Sequence, residues 1–315
     1  MLSILAITLP VFLLIGLGYL VVRLEWVARS AVAGMGNYVI YCALPAMLFN
    51  ALSTRDFSAI IDPSYLAAFA GGSLATLAAG FLLARRLRAE PLESAAFHGL
   101  GGAMANSAFI GYAIVVQLFG LAAVVGVALS MLVDLILLVP LTIALAETAG
   151  QDRGSVRVAV VSALKKTLSN PLVLAIAAGL LASLLGWRAE GALQKTLELL
   201  AGSASAVSLF VIGGMLVGLS LHGRAASIGQ MALFKLLLHP AAVASMVWLL
   251  PPFAPTLQAT AIILAAMPMA GIFPLLAQRY GQQESCAAAL VGATLLSFVS
   301  INLLLLLLAD RGALG

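Results

Sequence analysis

Ala105-Asn106-Ser107-Ala108-Phe109-Ile110-Gly111-Tyr112 lies in the middle of an apolar run. So does Ala266-Met267-Pro268-Met269-Ala270-Gly271-Ile272-Phe273-Pro274, in a second apolar run 161 residues further on. Each leads into a matching tail, Gln117-Leu118-Phe119-Gly120 and Gln278-Arg279-Tyr280-Gly281. Helix breakers at membrane depth leave backbone N–H and C=O groups unpaired, which hydrocarbon tolerates only where protein or a water-filled cavity receives them. A pair of such segments at corresponding positions of two halves points to a transporter's substrate site.

The rest of the composition agrees with a membrane setting. Of 315 residues, 63% are hydrophobic and 9% charged, with mean hydropathy +1.13. A soluble domain carries roughly 25% charged residues, so a water-facing surface cannot be assembled from this stock. The apolar runs are continuous and do not alternate, which selects spanning helices over a transmembrane barrel. The chain therefore reads as an all-α polytopic membrane protein. Its formal charge of +4 is no nucleic-acid signal, because the basic residues lie in short connections between apolar runs. Cys42 and Cys286 both fall in apolar segments and read as small buried residues. No cleavable signal is evident, since the first positive charge, Arg23, follows the first apolar run.

Apolar windows predict ten spans, near 4–22, 31–52, 65–84, 95–119, 121–146, 171–187, 195–221, 229–250, 258–280 and 285–308. The fourth and ninth are the interrupted ones. The connection from Glu147 to Asn170 is the longest and most polar. It divides the chain into a five-helix repeat over 1–150, a connecting loop over 151–170 and a second repeat over 171–315. A shift of 161 aligns Pro10 with Pro171, Gly18 with Gly179, Trp26 with Trp187 and Gln117 with Gln278. Each repeat holds an odd number of spans, so the second enters from the opposite side and the two are inverted.

Lys and Arg in the loops set the orientation. One side receives Arg23, Arg29, Arg85, Arg86, Arg88, Arg153, Arg157, Lys165, Lys166, Arg224 and Arg279, the other only Arg55, Arg188, Lys195 and Arg311. The richer side is cytoplasmic. That makes 151–170 a cytoplasmic loop, places both termini on the non-cytoplasmic side, and predicts a multi-pass protein of the cell inner (plasma) membrane.

No metal-ligand spacing, phosphate loop or Ser/His/Asp set is present, so neither catalytic residues nor a cofactor are expected. His98, His222 and His239 are scattered, and interfacial hydrogen bonding accounts for them. The interruptions are richer. Asn106 offers a carbonyl and two donors, and Ser107 a hydroxyl. The half-helix after a break presents free N–H groups and a positive dipole end, which suits a carboxylate. Gly111 and Gly271 permit close backbone approach, while Pro268 and Pro274 remove amide donors. The alternative is a kinked helix whose Asn and Ser tie neighbours together.

In the second span Pro45 should kink the helix. Asn37 and Asn50 read equally as cavity or packing residues. Gly214 and Gly218 form a small-residue pair suited to close helix packing. Asp134 lies midway along the fifth span, where an ionised carboxylate costs about 3 kcal/mol on insertion scales. It reads either as a proton- or cation-coupling site or as a structural partner of a polar neighbour. Lys235, six residues into the eighth span, reads either as a functional residue or as one whose long stem snorkels to an interface.

Asn106-Ser107-Ala108-Phe109-Ile110-Gly111-Tyr112, the run Leu44-Pro45-Ala46-Met47-Leu48-Phe49, and the stretch from Met267-Pro268 to Gly281 resemble the bacterial auxin efflux carrier family, which includes malonate and malate transporters. The resemblance covers essentially the whole chain. It implies a fold similar to that of the bile acid:sodium symporters, with a scaffold domain from spans 1, 2, 6 and 7 and a transport domain from spans 3–5 and 8–10. Spans 4 and 9 would be broken and cross in the transport domain. It further implies that Asn106 helps hold a substrate carboxylate, that Pro268 sits at the second break, and that scaffold helices can form a homodimer. The chain departs from many relatives at Ala113, where they carry proline. It departs from the plant carriers at Met267-Pro268, where they carry Asn-Pro, and it lacks their long loop.

The expectation is a secondary transporter moving a small mono- or dicarboxylate by alternating access, with no enzymatic activity, cofactor or metal. Substrate-binding candidates are Asn106, Ser107, Gly111, Pro268, Gly271 and Asn37, and the coupling candidate is Asp134, for proton or sodium. Two alternatives remain: a sodium-coupled bile-acid-type symporter, and a channel, which would need polar rings along several spans.

Overall fold

The computed structural model describes residues 2–57, 60–148, 153–219, 225–310 and 312. His222, Arg224 and Arg311 lie outside the described residues. Within them the chain is helical, with no strand. The first half runs α1 (Leu2–Arg23), α2 (Arg29–Tyr38), α3 (Leu44–Ser53), α4 (Pro63–Leu87), α5 (Leu92–Ala103), α6 (Tyr112–Phe119), α7 (Val124–Leu132) and α8 (Val139–Glu147). Next come α9 (Arg153–Leu168), α10 (Pro171–Leu184), α11 (Gly191–Leu216), α12 (Ala225–Leu233) and α13 (His239–Leu249). The chain closes with α14 (Pro255–Ala265), α15 (Phe273–Gln278) and α16 (Gln283–Asp310). Seven helical runs of the described residues are long and apolar enough to cross a membrane, or eight with the bent pair Val156–Leu168 and Pro171–Leu184.

Prolines write local structure into three of these runs. The π-helical turns Val39–Ala43, Val133–Leu138 and Phe234–Leu238 each lead into a helix whose second residue is proline: Pro45, Pro140 and Pro240. A proline has no N–H and its ring pushes on the carbonyl four residues back, at Tyr41, Ile136 and Leu236. The chain relieves that clash by widening one turn, and such bulges concentrate at functional sites. Pro45 thus acts on its helix by local widening.

Contacts group the chain into two compact units. The first comprises Met1–Pro63, Ala108–Leu129 and Leu168–Gly218. Here α1 packs on α11, and α10 on α3. Both pairings depend on glycine. A Cβ at Gly18 would fall on the Phe210 carbonyl oxygen, and one at Gly213 on that of Ile15. A Cβ at Gly179 would lie 2.9 Å from the Leu52 Cβ and 3.3 Å from the Phe49 carbonyl oxygen. Gly18 and Gly179 are 161 apart, and so are Phe49 and Phe210; the two contacts exchange under the shift that aligns the sequence halves. Gly214 packs against Val22 and Val32, whereas Gly218, at φ +82°, lies just past the end of α11. The outer face of α1 exposes Leu9, Leu13, Leu17 and Leu20, a surface suited to lipid.

The second unit comprises Ser64–Ser107, Ser130–Thr167 and Leu219–Gly315. Two half-helices form its centre: residues 94–103 of α5 and 259–265 of α14 are buried on every side. Phe97 packs on Phe273, and Phe69 on Tyr65 and His239. Close approach again rests on glycine: a Cβ at Gly72 would lie 2.6 Å from Val243, and one at Gly101 would lie 2.8 Å from Phe273.

Two local expectations need correction. The connection over 151–170, read as a loop, carries the helix α9. Its residues show no apolar period, but Lys165 and Lys166 in the last turn complement the helix dipole, and Asn170 caps α10 by accepting the Leu172 N–H at 2.9 Å. Cys42, read as buried, is exposed, while Cys286 is buried. An apolar neighbourhood in sequence does not distinguish a core-facing position from one facing lipid.

Candidate functional site

Both interruptions are real breaks in the helices. Helix α5 stops at Ala103, residues 104–106 are extended or irregular, and a π-helical turn, Ser107–Gly111, starts the next half. Helix α14 stops at Ala265, and regular helix resumes only at Phe273, whose second position, Pro274, needs no N–H. The breaks touch: the Asn106 backbone N–H donates to the Pro268 carbonyl at 2.8 Å. Asn106, Ser107, Met267 and Pro268 are all buried.

Each break is met by an ionisable side chain. Asp134, in the π turn ahead of Pro140, accepts the Ala105 N–H on Oδ2 at 3.2 Å. Its carboxylate therefore lies at the start of the second half-helix, where the dipole is positive. Lys235, in the π turn ahead of Pro240, donates from Nζ to the Ala265 carbonyl at 2.6 Å, at the negative end of α14. The Asp134 and Lys235 side chains also interact electrostatically.

A polar chain continues from Lys235. Its Nζ lies 2.6 Å from His239 Nδ1, and His239 Nε2 lies 2.8 Å from Ser73 Oγ. Beside Asp134, the Tyr65 hydroxyl pairs with Ser130 Oγ at 2.7 Å. Lys235 is 0% exposed, so the snorkelling expectation is overturned: its stem ends among the breaks instead of at an interface. His239 is likewise buried, as is His98, whose Nδ1 lies 2.9 Å from the Ser94 carbonyl. Neither is interfacial.

Two buried oxygens at the first break have no hydrogen-bond partner, Ser107 Oγ and Asp134 Oδ1. Buried polar groups are nearly always satisfied, so an orphaned pair beside a break marks a place for a water, ion or ligand. Asn106, Ser107, Pro268, Asp134 and the half-buried Gly271 all belong to the second unit. Gly111, buried, and Asn37, exposed on α2, belong to the first. The sequence reading missed Ser73, Tyr65 and Ser130, three small or aromatic polar residues that carry no motif. The signal that was available was the spacing from Asp134 and Lys235 to the following prolines, which places both side chains in widened turns. Among the described residues no cluster of His, Cys, Asp and Glu is arranged to hold a metal.

A family model described as "Membrane transport protein" matches residues 3–305. The chain is 29% identical over 315 residues to a protein of Rhizobium meliloti (strain 1021) named "Putative malonate transporter", covering 100% of this chain and 98% of that relative.

Proposed function

The chain belongs to the auxin efflux carrier family of membrane transport proteins, and from that membership we propose that it is a secondary transporter moving a small mono- or dicarboxylate by alternating access. The observation that carries this reading is the contact of the two breaks, Asn106 N–H to Pro268 C=O at 2.8 Å, beside the orphaned Ser107 and Asp134 oxygens. Substrate would bind there through the Asn106 and Ser107 side chains, with Pro268 and Gly271 supplying shape. Gly111 and Asn37 stay substrate-binding candidates on the sequence reading alone.

Ten spans in two inverted repeats are part of the same proposal. The run Leu92–Glu147 is 56 residues long. At about 1.5 Å per residue it would extend about 84 Å against a hydrocarbon core of about 30 Å, which favours two crossings. The exchanged glycine contacts of α1 with α11 and α10 with α3 support the repeat. The scaffold role falls to spans 1, 2, 6 and 7 and the transport role to spans 3–5 and 8–10, with movement of one helix bundle against the other alternating the access.

The relative's name makes malonate the first probe. Purified protein should show a saturable rise in melting temperature with malonate or another member of a carboxylate panel, since a ligand at 100 times its Kd stabilises by about 2.7 kcal/mol. A panel without any shift would remove the carboxylate reading, and unitary currents in a planar bilayer would replace the carrier with a channel. Asp134 is the proposed coupling group: Asp134→Asn keeps an acceptor for Ala105 and should abolish the pH dependence of flux in proteoliposomes. If that dependence persists intact, Asp134 is structural.

A further inference from the structure

Helices α1 and α10, which correspond under the shift of 161, end in the same turn. The Trp26 N–H donates to the Val21 carbonyl at 3.0 Å, and the Trp187 N–H to the Ala182 carbonyl at 2.8 Å. Each turn holds the residue before its tryptophan in the left-handed region, Gly186 at φ 64° and Glu25 at φ 61°. Such a helix end favours glycine. A glutamate there is strained, and strained positions point to function. The side chains around the two turns also differ: Tyr19, Arg23 and Arg29 stand where the second half has Leu180, Leu184 and Glu190.

Tyr19, Arg23, Glu25, Arg29 and Gly218 line a cavity of about 590 Å³ between α1, α2 and α11, within the first unit. Sites for small ligands run from about 300 to 1,000 Å³. Arg23 Nη1 donates to the Tyr19 hydroxyl at 2.9 Å. The Arg29 guanidinium rests against Gly218, where an added Cβ would lie 2.7 Å from Nη1. Neither arginine is ion-paired among the described residues, so both keep donors for an anion. Arg23 and Arg29 against Glu25 leave the cavity with one net positive charge. Beside it Trp26 is 76% exposed, and Leu13, Leu17 and Leu20 are exposed on the turns of α1 before Arg23. Exposed tryptophan belongs at headgroup level.

We propose that this cavity binds the phosphodiester of an anionic glycerophospholipid of the phosphatidylglycerol type, with its acyl chains along the leucine face of α1. The arginines clamp the single negative charge, and Glu25 accepts from the headgroup hydroxyls. Basic pockets between spanning helices take such headgroups on the cytoplasmic side, where the loop charges put Arg23 and Arg29. The equivalent turn of the second half has no cation at the three matching positions.

Trp187→Phe with Trp248→Phe leaves Trp26 as the sole tryptophan and as a local probe. In phosphatidylcholine vesicles, phosphatidylglycerol with brominated chains should half-quench Trp26 at a mole fraction at least about fivefold below brominated phosphatidylcholine, the worth of one basic residue at an anionic surface. Arg23→Gln with Arg29→Gln should make the two lipids equal, whereas Arg85→Gln with Arg86→Gln, on α4, should leave the preference intact. Equal quenching before any arginine is changed would overturn the proposal. So would a preference that survives loss of the cavity arginines, or one lost equally with Arg85 and Arg86, since the cause would then be diffuse attraction. Sodium phosphate at the ionic strength of a chloride control should leave the preference unchanged; its abolition would make the occupant a free anion and sink the lipid. If the tryptophan variants are not recovered folded, native mass spectrometry of the otherwise unaltered protein replaces the quenching. A phosphatidylglycerol adduct retained by the wild type and lost with Arg23 and Arg29 is expected, and an adduct indifferent to them would overturn the proposal.

Discussion

Asn106 contributes to the site in two ways that a substitution can separate. Its backbone N–H holds Pro268, and any residue but proline keeps that bond. Its side chain is the proposed carboxylate donor. Asn106→Ala should therefore leave the fold intact and weaken malonate binding by about 10- to 150-fold, the loss of one hydrogen bond to a charged group worth about 1.5–3 kcal/mol. Titration calorimetry on the purified variant checks this, and unchanged affinity would take Asn106 out of the site. Asp134 was legible as an inward-facing group from its place in an apolar run. Lys235 was not, because a lysine six residues into a span satisfies the snorkelling pattern equally well. Only the turn that aims its stem inward decides the matter, and that depends on Pro240.

At the scale of elements, the breaks were readable because glycine, proline and asparagine seldom gather inside an apolar run that stays helical throughout. The π turns were not, since a proline in a helix announces a kink without saying which side chain the widened turn will redirect. Pro240→Ala should restore a regular turn, rotate Lys235 off the Ala265 carbonyl and reduce flux at least tenfold, with little loss of expression. Wild-type flux in that variant would show that the bulge does not position the lysine. Glycine packing makes a second prediction. Gly18→Ala drives a Cβ onto the Phe210 carbonyl oxygen, whereas Gly179→Ala meets the Leu52 Cβ at 2.9 Å and the Phe49 carbonyl oxygen at 3.3 Å and so needs a smaller backbone shift. Overpacking costs about 1–3 kcal/mol, and melting in detergent should place Gly18→Ala at the upper end and Gly179→Ala below it. The reverse order would mean that α1 shifts more freely on α11 than their close contact indicates.

For the whole molecule, hydropathy made the membrane class legible, whereas the helix α9 was hidden because a polar helix carries no apolar period. The grouping of distant segments into two units comes from packing that no local pattern encodes. Orientation is the open expectation at this scale. The charge bias of the loops predicts that Arg188→Cys, in a background lacking Cys42 and Cys286, reacts with an impermeant maleimide in intact cells. Arg157→Cys should react only after permeabilisation. The opposite labelling pattern would invert the topology.

The capping of the two breaks has a thermodynamic consequence for the second unit. A helix normally closes its backbone bonds within its own segment and can fray alone. Here the amide at the end of one segment is closed by Asp134, the last carbonyl of another by Lys235, and the two segments by each other. No one of these elements can open without orphaning groups on the rest. Local opening is thereby tied to global unfolding, and amide hydrogens at Ala105 and Asn106 should exchange with solvent at the rate of the entire unit, although they lie where regular helix is absent.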